Sequence, residues 1–236
     1  LGVSLTQLDY GEEEVTTIYD ENTGEFWNAS DIAATVSYAR NLSDRFSIGG
    51  NLKYIQEKIW HEQASAFAVD VGLLFITEFN DMKLGMSISN FGSDMKMSGR
   101  DLLQQVDLDE DVTGHNETIV ANLKTDAWPL PLFFRVGLAM DVIEFQNNRF
   151  TLALDAFRPS DNTETINIGG ELALMDMFFL RGGYKSLFRE ASEEGLTLGV
   201  GFNINSSGVV KVQVDYAYAD FGLFEDIQML SIGLKF

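Results

Sequence analysis

The sequence predicts an all-β chain: a transmembrane antiparallel β-barrel with about twelve strands. Three observations lead there. Apolar residues recur at every second position through most of the chain. The alternating stretches run to about 9–16 residues, where a soluble sandwich strand has about 5–6. Short and long connections alternate between them.

The strands follow in order. Residues 1–9 open the chain, and 30–41 carries Ile32, Ala34, Val36 and Tyr38 on one face. The next stretch, 45–60, carries Phe46, Ile48, Leu52 and Tyr54; 64–78 carries Phe67, Val69, Val71, Leu73 and Phe75; 81–91 carries Leu84, Met86 and Ile88. After a gap come Phe134, Val136, Leu138, Met140 and Val142, then Phe150, Leu152 and Leu154. Ile166, Ile168, Leu172 and Leu174 follow, and Phe178, Leu180 and Tyr184 mark 177–187. Leu196 to Ile204 and Val210 to Tyr218 alternate in the same way, and Leu230, Ile232, Leu234 and Phe236 close the chain. A terminal apolar strand is an aggregation hazard unless it is paired and covered. A closed barrel in lipid supplies both, so the whole of 1–236 is expected to form a single barrel domain.

The opposite face is small, polar or charged. Its expected lumen residues are Lys53, Asp70, Lys83, Phe133, Arg135, Asp141, Asp155, Glu171, Phe179, Arg181, Lys185, Lys211 and Asp215. Charges of both signs point to salt-bridge networks across the lumen rather than to a selective constriction.

The short connections are 41–44, 78–80, 144–147, 175–176 and 205–207, and the long or acidic ones are 10–29, 61–63, 92–128, 159–162, 188–193 and 220–225. Outer-membrane barrels have short periplasmic turns and long outer loops. This order sets the long acidic loops outside and the C-terminus on the periplasmic side. Tyr38, Phe46, Phe150, Phe178, Phe202 and Phe236 then form an inner aromatic girdle, and Tyr54, Tyr184, Tyr216 and Tyr218 an outer one.

Composition excludes several functions. With 36 acidic and 16 basic residues the formal net charge is -20, which excludes nucleic acid as a partner. There are no cysteines and two histidines, His61 and His115. No nucleophile elbow, phosphate loop or zinc-protease motif occurs, so the chain is expected to be non-enzymatic, with no cofactor and no metal. The run Asp107, Asp109, Asp111 spaces oxygen ligands like the start of a calcium loop. It has Val112 and Thr118 where glycine and a carboxylate belong, so an EF-hand is rejected, which leaves a solvated acidic loop or, less commonly, a looser calcium contact.

Several stretches carry a more specific likeness: SDIAATVSYARNLSDRFSIGGNLKYIQEKI (30–59), SAFAVDVGLLF (65–75), LGMSISNFGSDMKMSGRDL (84–102) and LPLFFRVGLAMDVI (130–143). Together they resemble the PorV/PorQ family of bacterial outer-membrane barrels, which share the fold of the FadL-like transporters. The resemblance implies a fourteen-stranded barrel with a signal peptide in the full-length protein. The leader and about two N-terminal strands would then precede Leu1. It implies a type IX secretion component that binds or shuttles secreted cargo and meets secretion-system subunits. The alternative it implies is a channel for apolar small molecules. Either would lie in the bacterial outer membrane among its lipids.

The longest loop, 92–128, mixes methionine and leucine with acids. Methionine adapts to varied apolar partners. Met95, Met97, Arg100, Asp101, Leu102 and Leu103 are the candidate partner-binding residues; the alternative is that this loop packs on the rim or plugs the barrel.

Overall fold

The computed structural model describes residues 1–19, 23–107, 119–189, 195–206 and 210–235. Among the described residues seventeen strands follow in order: β1 (Gly2–Glu14), β2 (Phe26–Asn41), β3 (Phe46–Ile59), β4 (Glu62–Ile76), β5 (Lys83–Gly92), β6 (Met95–Lys96), β7 (Ser98–Gly99), β8 (Leu103–Val106), β9 (Ile119–Asn122) and β10 (Ala127–Trp128). Then come β11 (Phe133–Phe145), β12 (Asn148–Pro159), β13 (Thr165–Leu174), β14 (Phe178–Leu187), β15 (Leu196–Ser206), β16 (Val210–Asp220) and β17 (Asp226–Lys235). Two single-turn 3-10 helices occur, at Arg100–Leu102 and Gly222–Phe224. Among the described residues no helix is long and apolar enough to cross a membrane.

The chain is all-β, and its twelve long strands lie in one large antiparallel sheet in sequence order, β1-β2-β3-β4-β5-β11-β12-β13-β14-β15-β16-β17. Each of the twelve expected alternating stretches is one of these strands. Short β7 adds to β4, while β6–β10 and β8–β9 form separate two-stranded sheets. Every small strand therefore falls in the connection between β5 and β11.

Three expectations need correction. Among the described residues β1 pairs with β2 alone and β17 with β16 alone, so each keeps an open edge and no ladder closes a ring. The connection expected at 61–63 is a two-residue turn, Trp60–His61, with Trp60 at φ 49°. The connection expected at 10–29 shrinks to 15–25, because β1 runs on to Glu14. A register shift between Asp9 and Glu12 inserts an extra residue there. A bulge of this kind reverses the side-chain parity, which hides the end of the strand from a search for strict alternation.

Two compact units divide the chain. The first, 1–39 with 49–71 and 89–131, has its core where β4 meets the inserted segment. The second, 40–48 with 72–88 and 132–236, holds β11 to β17 and the short turns at 42–45 and 77–82. These turns are stitched together: Arg45 Nη1 donates to the Thr77 carbonyl at 2.6 Å, and the Ile76 amide donates to the Arg45 carbonyl at 2.8 Å.

The apolar alternation is exposed rather than buried. Phe67, Val71, Leu180, Leu198, Val200 and Ile232 all stand open on the sheet. An apolar surface this extensive is far beyond the isolated patches of a soluble monomer.

Candidate functional site

Two places gather the polar and inserted residues, one in each unit. In the first unit the inserted segment folds back on β4. Alternate residues Ala64, Ala66 and Ala68 are buried, while Phe67, Val69 and Val71 between them are exposed. The segment thus covers the small-residue face, which also carries Asp70. Its anchor is Met95, 0% exposed, packed on the three alanines and Leu130, with Ile55, Met97 and Trp128 around it. Trp128 lies directly opposite Met95 in the β6–β10 ladder, and Thr125 Oγ1 donates to the Met97 carbonyl at 2.7 Å.

Both roots of the segment are tied at Asp70. Lys53 Nζ lies 2.6 Å from Asp70 Oδ2, and Asn51 Nδ2 donates to the same oxygen at 2.8 Å. Asn90, at φ 64°, gives its backbone N–H to Asp70 Oδ1 at 2.9 Å. The Asn90 side chain accepts from Lys53 at 3.0 Å and donates to the Pro131 carbonyl at 3.1 Å. Asparagine tolerates the left-handed backbone that places all these groups together. Lys53 and Asp70 were expected on one face; Asn51, Asn90 and Pro131 were not. Only Asn90 had a signal, as an Asn breaking the alternation of β5.

Further along, the segment hangs on the β3–β4 turn. Ser98 and Gly99 pair with Gln63 and Glu62. A Cβ at Gly99 would sit 2.4 Å from the Glu62 carboxylate and the His61 carbonyl, so the close approach requires glycine there. His61 stacks on Trp60 with ring centroids 4.3 Å apart. Its Nδ1 lies 2.7 Å from Asp101 Oδ2, and Arg100 Nη2 lies against the other ring nitrogen. The Asp101 amide donates to Glu62 Oε1 at 2.8 Å.

The six candidate partner-binding residues therefore have distinct places. Met95 is beneath the segment and holds it; Met97 and Leu102 are half-buried; Arg100, Asp101 and Leu103 are exposed. Leu108, Asp109, Glu110, Asp111, Val112, His115 and Thr118, and with them the acidic run weighed as a calcium loop, lie outside the described residues. So do Phe236, 190–193 in the expected 188–193 loop, and Ser207 in the expected 205–207 turn.

In the second unit a chain of ion pairs crosses the polar face from β11 to β16. Asp141 meets Arg149 at 3.4 Å, Arg149 meets Glu171 at 3.3 Å, and Glu171 meets Arg181 at 2.7 Å. Arg181 then reaches Asp215 at 2.6 Å. This last step skips a strand, since Arg181 is on β14 and Asp215 on β16. It passes over Gly201 of β15, where a Cβ would stand 2.4 Å from Asp215 Oδ1 and 3.1 Å from Arg181 Nη1. Glycine there leaves room for the guanidinium to bridge. Gln213 Nε2 also donates to Asp215, at 2.7 Å. Of these residues only Arg149 and Gln213 were missed. Arg149 lies two residues before Thr151 on the same face, and was overlooked because the strand was started at Phe150.

Arg135 pairs with Asp155 at 3.4 Å and lies over the Phe157 ring, which packs on Phe133 at 5.2 Å. Arg181 similarly lies over Phe179. Lys83 and Lys211 are exposed, and Lys211 stands opposite Lys235 in the β16–β17 register.

Beside the ion-pair chain runs a trough of about 490 Å³. Its floor is Ala153, Gly169, Gly183, Gly199, Ala217 and Ala219. Glu171 and Arg181 flank it on one side, and Asp155, Asn167 and Lys185 on the other. Glu171, Arg181, Asp155 and Asn167 are engaged with neighbours on the sheet, so the open surface of the trough is mainly aliphatic.

No family model matches this sequence, and no curated protein matches it.

Proposed function

We propose that the chain is a non-enzymatic outer-membrane β-barrel of the PorV/PorQ type. It presents its outer loops, above all 93–131, to secreted proteins or to subunits of a secretion machine. The observation that carries this is the exposed apolar face on long antiparallel strands laid in sequence order. Such a face needs lipid, and neighbour-to-neighbour antiparallel order is the topology of outer-membrane barrels. In this reading the polar face becomes the lumen, its ion pairs rigidify the wall, and the long connections face outward.

The test is deletion of 94–126 followed by detergent capture of partners from the native outer membrane. A folded barrel that has lost stoichiometric secreted proteins or secretion subunits is expected. Unchanged capture of the same partners would overturn the scaffold.

A second reading, a channel for apolar small molecules, is favoured by the trough over Gly169, Gly183 and Ala217. It predicts that a fluorescent hydrocarbon probe binds the solubilised barrel and that Ala217→Trp, which fills the trough, abolishes the signal. Binding unaffected by that substitution would remove this reading.

A further inference from the structure

The sheet formed by β8 and β9, like that of β6 and β10, stands outside the large sheet. It has two strands, Leu103–Val106 and Ile119–Asn122, and neither is hydrogen-bonded to a third among the described residues. Leu123 N–H donates to the Leu102 carbonyl at 2.8 Å. This fixes which groups face inward: pairs 102/123, 104/121 and 106/119 exchange hydrogen bonds between the strands. Gln105, Val120 and Asn122 then turn their backbone N–H and C=O away from the ladder. Along β9 these outward groups form an unpaired edge.

Native proteins protect such edges with lysine, glutamate, proline or a bulge. The sequences LQQV and IVAN contain no charged residue and no proline, and their ladder runs without a register shift. Exposed apolar side chains accompany the edge: Leu103 is 49% exposed, Val120 62% and Leu123 53%. The open edges of the large sheet carry charge, Asp9 and Glu12 to Glu14 on β1 and Asp226 and Lys235 on β17, whereas LQQV and IVAN carry none.

We propose that β9 is a docking edge that takes up an extended segment of a partner polypeptide as a third strand. An open row of amides and carbonyls is complementary to another extended backbone, which gives affinity without a defined sequence. Val120 and Leu103, exposed on the same face of the hairpin, favour an apolar side chain at every second position of the guest. The acidity of the host favours basic residues at its ends. This rests on the scaffold reading above, since it names how the inserted segment would hold a partner.

The experiment uses the full chain in detergent micelles and a fluorescent peptide of about nine residues, alternating valine and threonine with lysine at each end. A second peptide has the same sequence with N-methyl groups at alternate residues, which blocks hydrogen bonding along one edge. Two variants are compared, Val120→Pro and Val120→Thr. Proline removes an outward N–H that the β8–β9 ladder does not use; threonine keeps it. The expected result is saturable binding of the first peptide, weakened at least about tenfold by N-methylation and by Val120→Pro, and unchanged by Val120→Thr.

Equal binding of the methylated and unmethylated peptides overturns strand addition, and this comparison does not depend on how any variant folds. Dimerisation of the chain that Val120→Pro dissolves would assign the edge to a second copy and would also overturn it. The two proposals fail separately. If deletion of 94–126 removes partner capture but N-methylation has no effect, the scaffold stands and the strand docking falls. If N-methylation weakens the peptide but the deleted barrel still captures its partners, the docking edge stands and the scaffold falls.

Discussion

Arg181 holds the ion-pair chain together, because it alone spans from Glu171 on β13 to Asp215 on β16. Arg181→Met keeps the length of the side chain, leaves Asp215 without a cationic partner and leaves Glu171 with Arg149 alone. The pairs keep between a fifth and a third of their surface in contact with solvent, so the loss is smaller than for a fully buried pair, about 1–3 kcal/mol. A lowered urea midpoint in micelles checks it. Gly201→Val puts its Cβ into the Asp215 carboxylate and breaks the same bridge from the other side. Because both substitutions act on one contact, the double variant should lose less than the sum of the two, and additive losses would show that Gly201 is not needed for the bridge. Several members of this chain were visible in the sequence as charges on one face. Their partners were not, since pairing depends on strand register and on the gap at Gly201.

At the scale of elements, the inserted segment is held by two buried side chains, Met95 and Leu130, and by several polar contacts. Met95→Ala empties a site with no exposure and should cost the segment about 2–5 kcal/mol. Limited proteolysis should then cut within 93–131 while β11 to β17 remain protected. His61→Ala removes a half-exposed contact to Asp101 and should cost under about 1 kcal/mol. If His61→Ala released the segment and Met95→Ala did not, the anchor would lie at the turn instead of in the alanine face. The sequence marked this loop as long and rich in methionine. It could not show that Met95 faces inward, because its site is made by Ala64, Ala66 and Ala68 from another strand.

For the whole molecule, the medium around the sheet decides what an exposed valine is worth. Val200 is 50% exposed on the apolar face, opposite Leu180 and Tyr216. In water, a surface Val200→Arg substitution would change stability by about 0.5 kcal/mol or less. In a bilayer, arginine near the midplane costs about 2–4 kcal/mol. The expected outcome is the larger loss, measured by urea unfolding in lipid vesicles. Lys211→Arg on the polar face should be neutral in the same assay. A neutral Val200→Arg would return the chain to the soluble β-proteins.

By itself the sequence determined the strands. Alternation is a local property, since successive side chains of an extended backbone point to opposite sides whatever lies beyond them. That is why all twelve long strands could be placed and why the bulge near Asp9, which breaks parity, hid the end of β1. Only the tertiary structure decided which residues meet across the sheet. The joining of Asp141 to Asp215 through two arginines, the tying of Asn90 to Asp70 and of Pro131 to Asn90, and the open edge of β9 all depend on register and on chain segments far apart in sequence, and no local pattern records those distances.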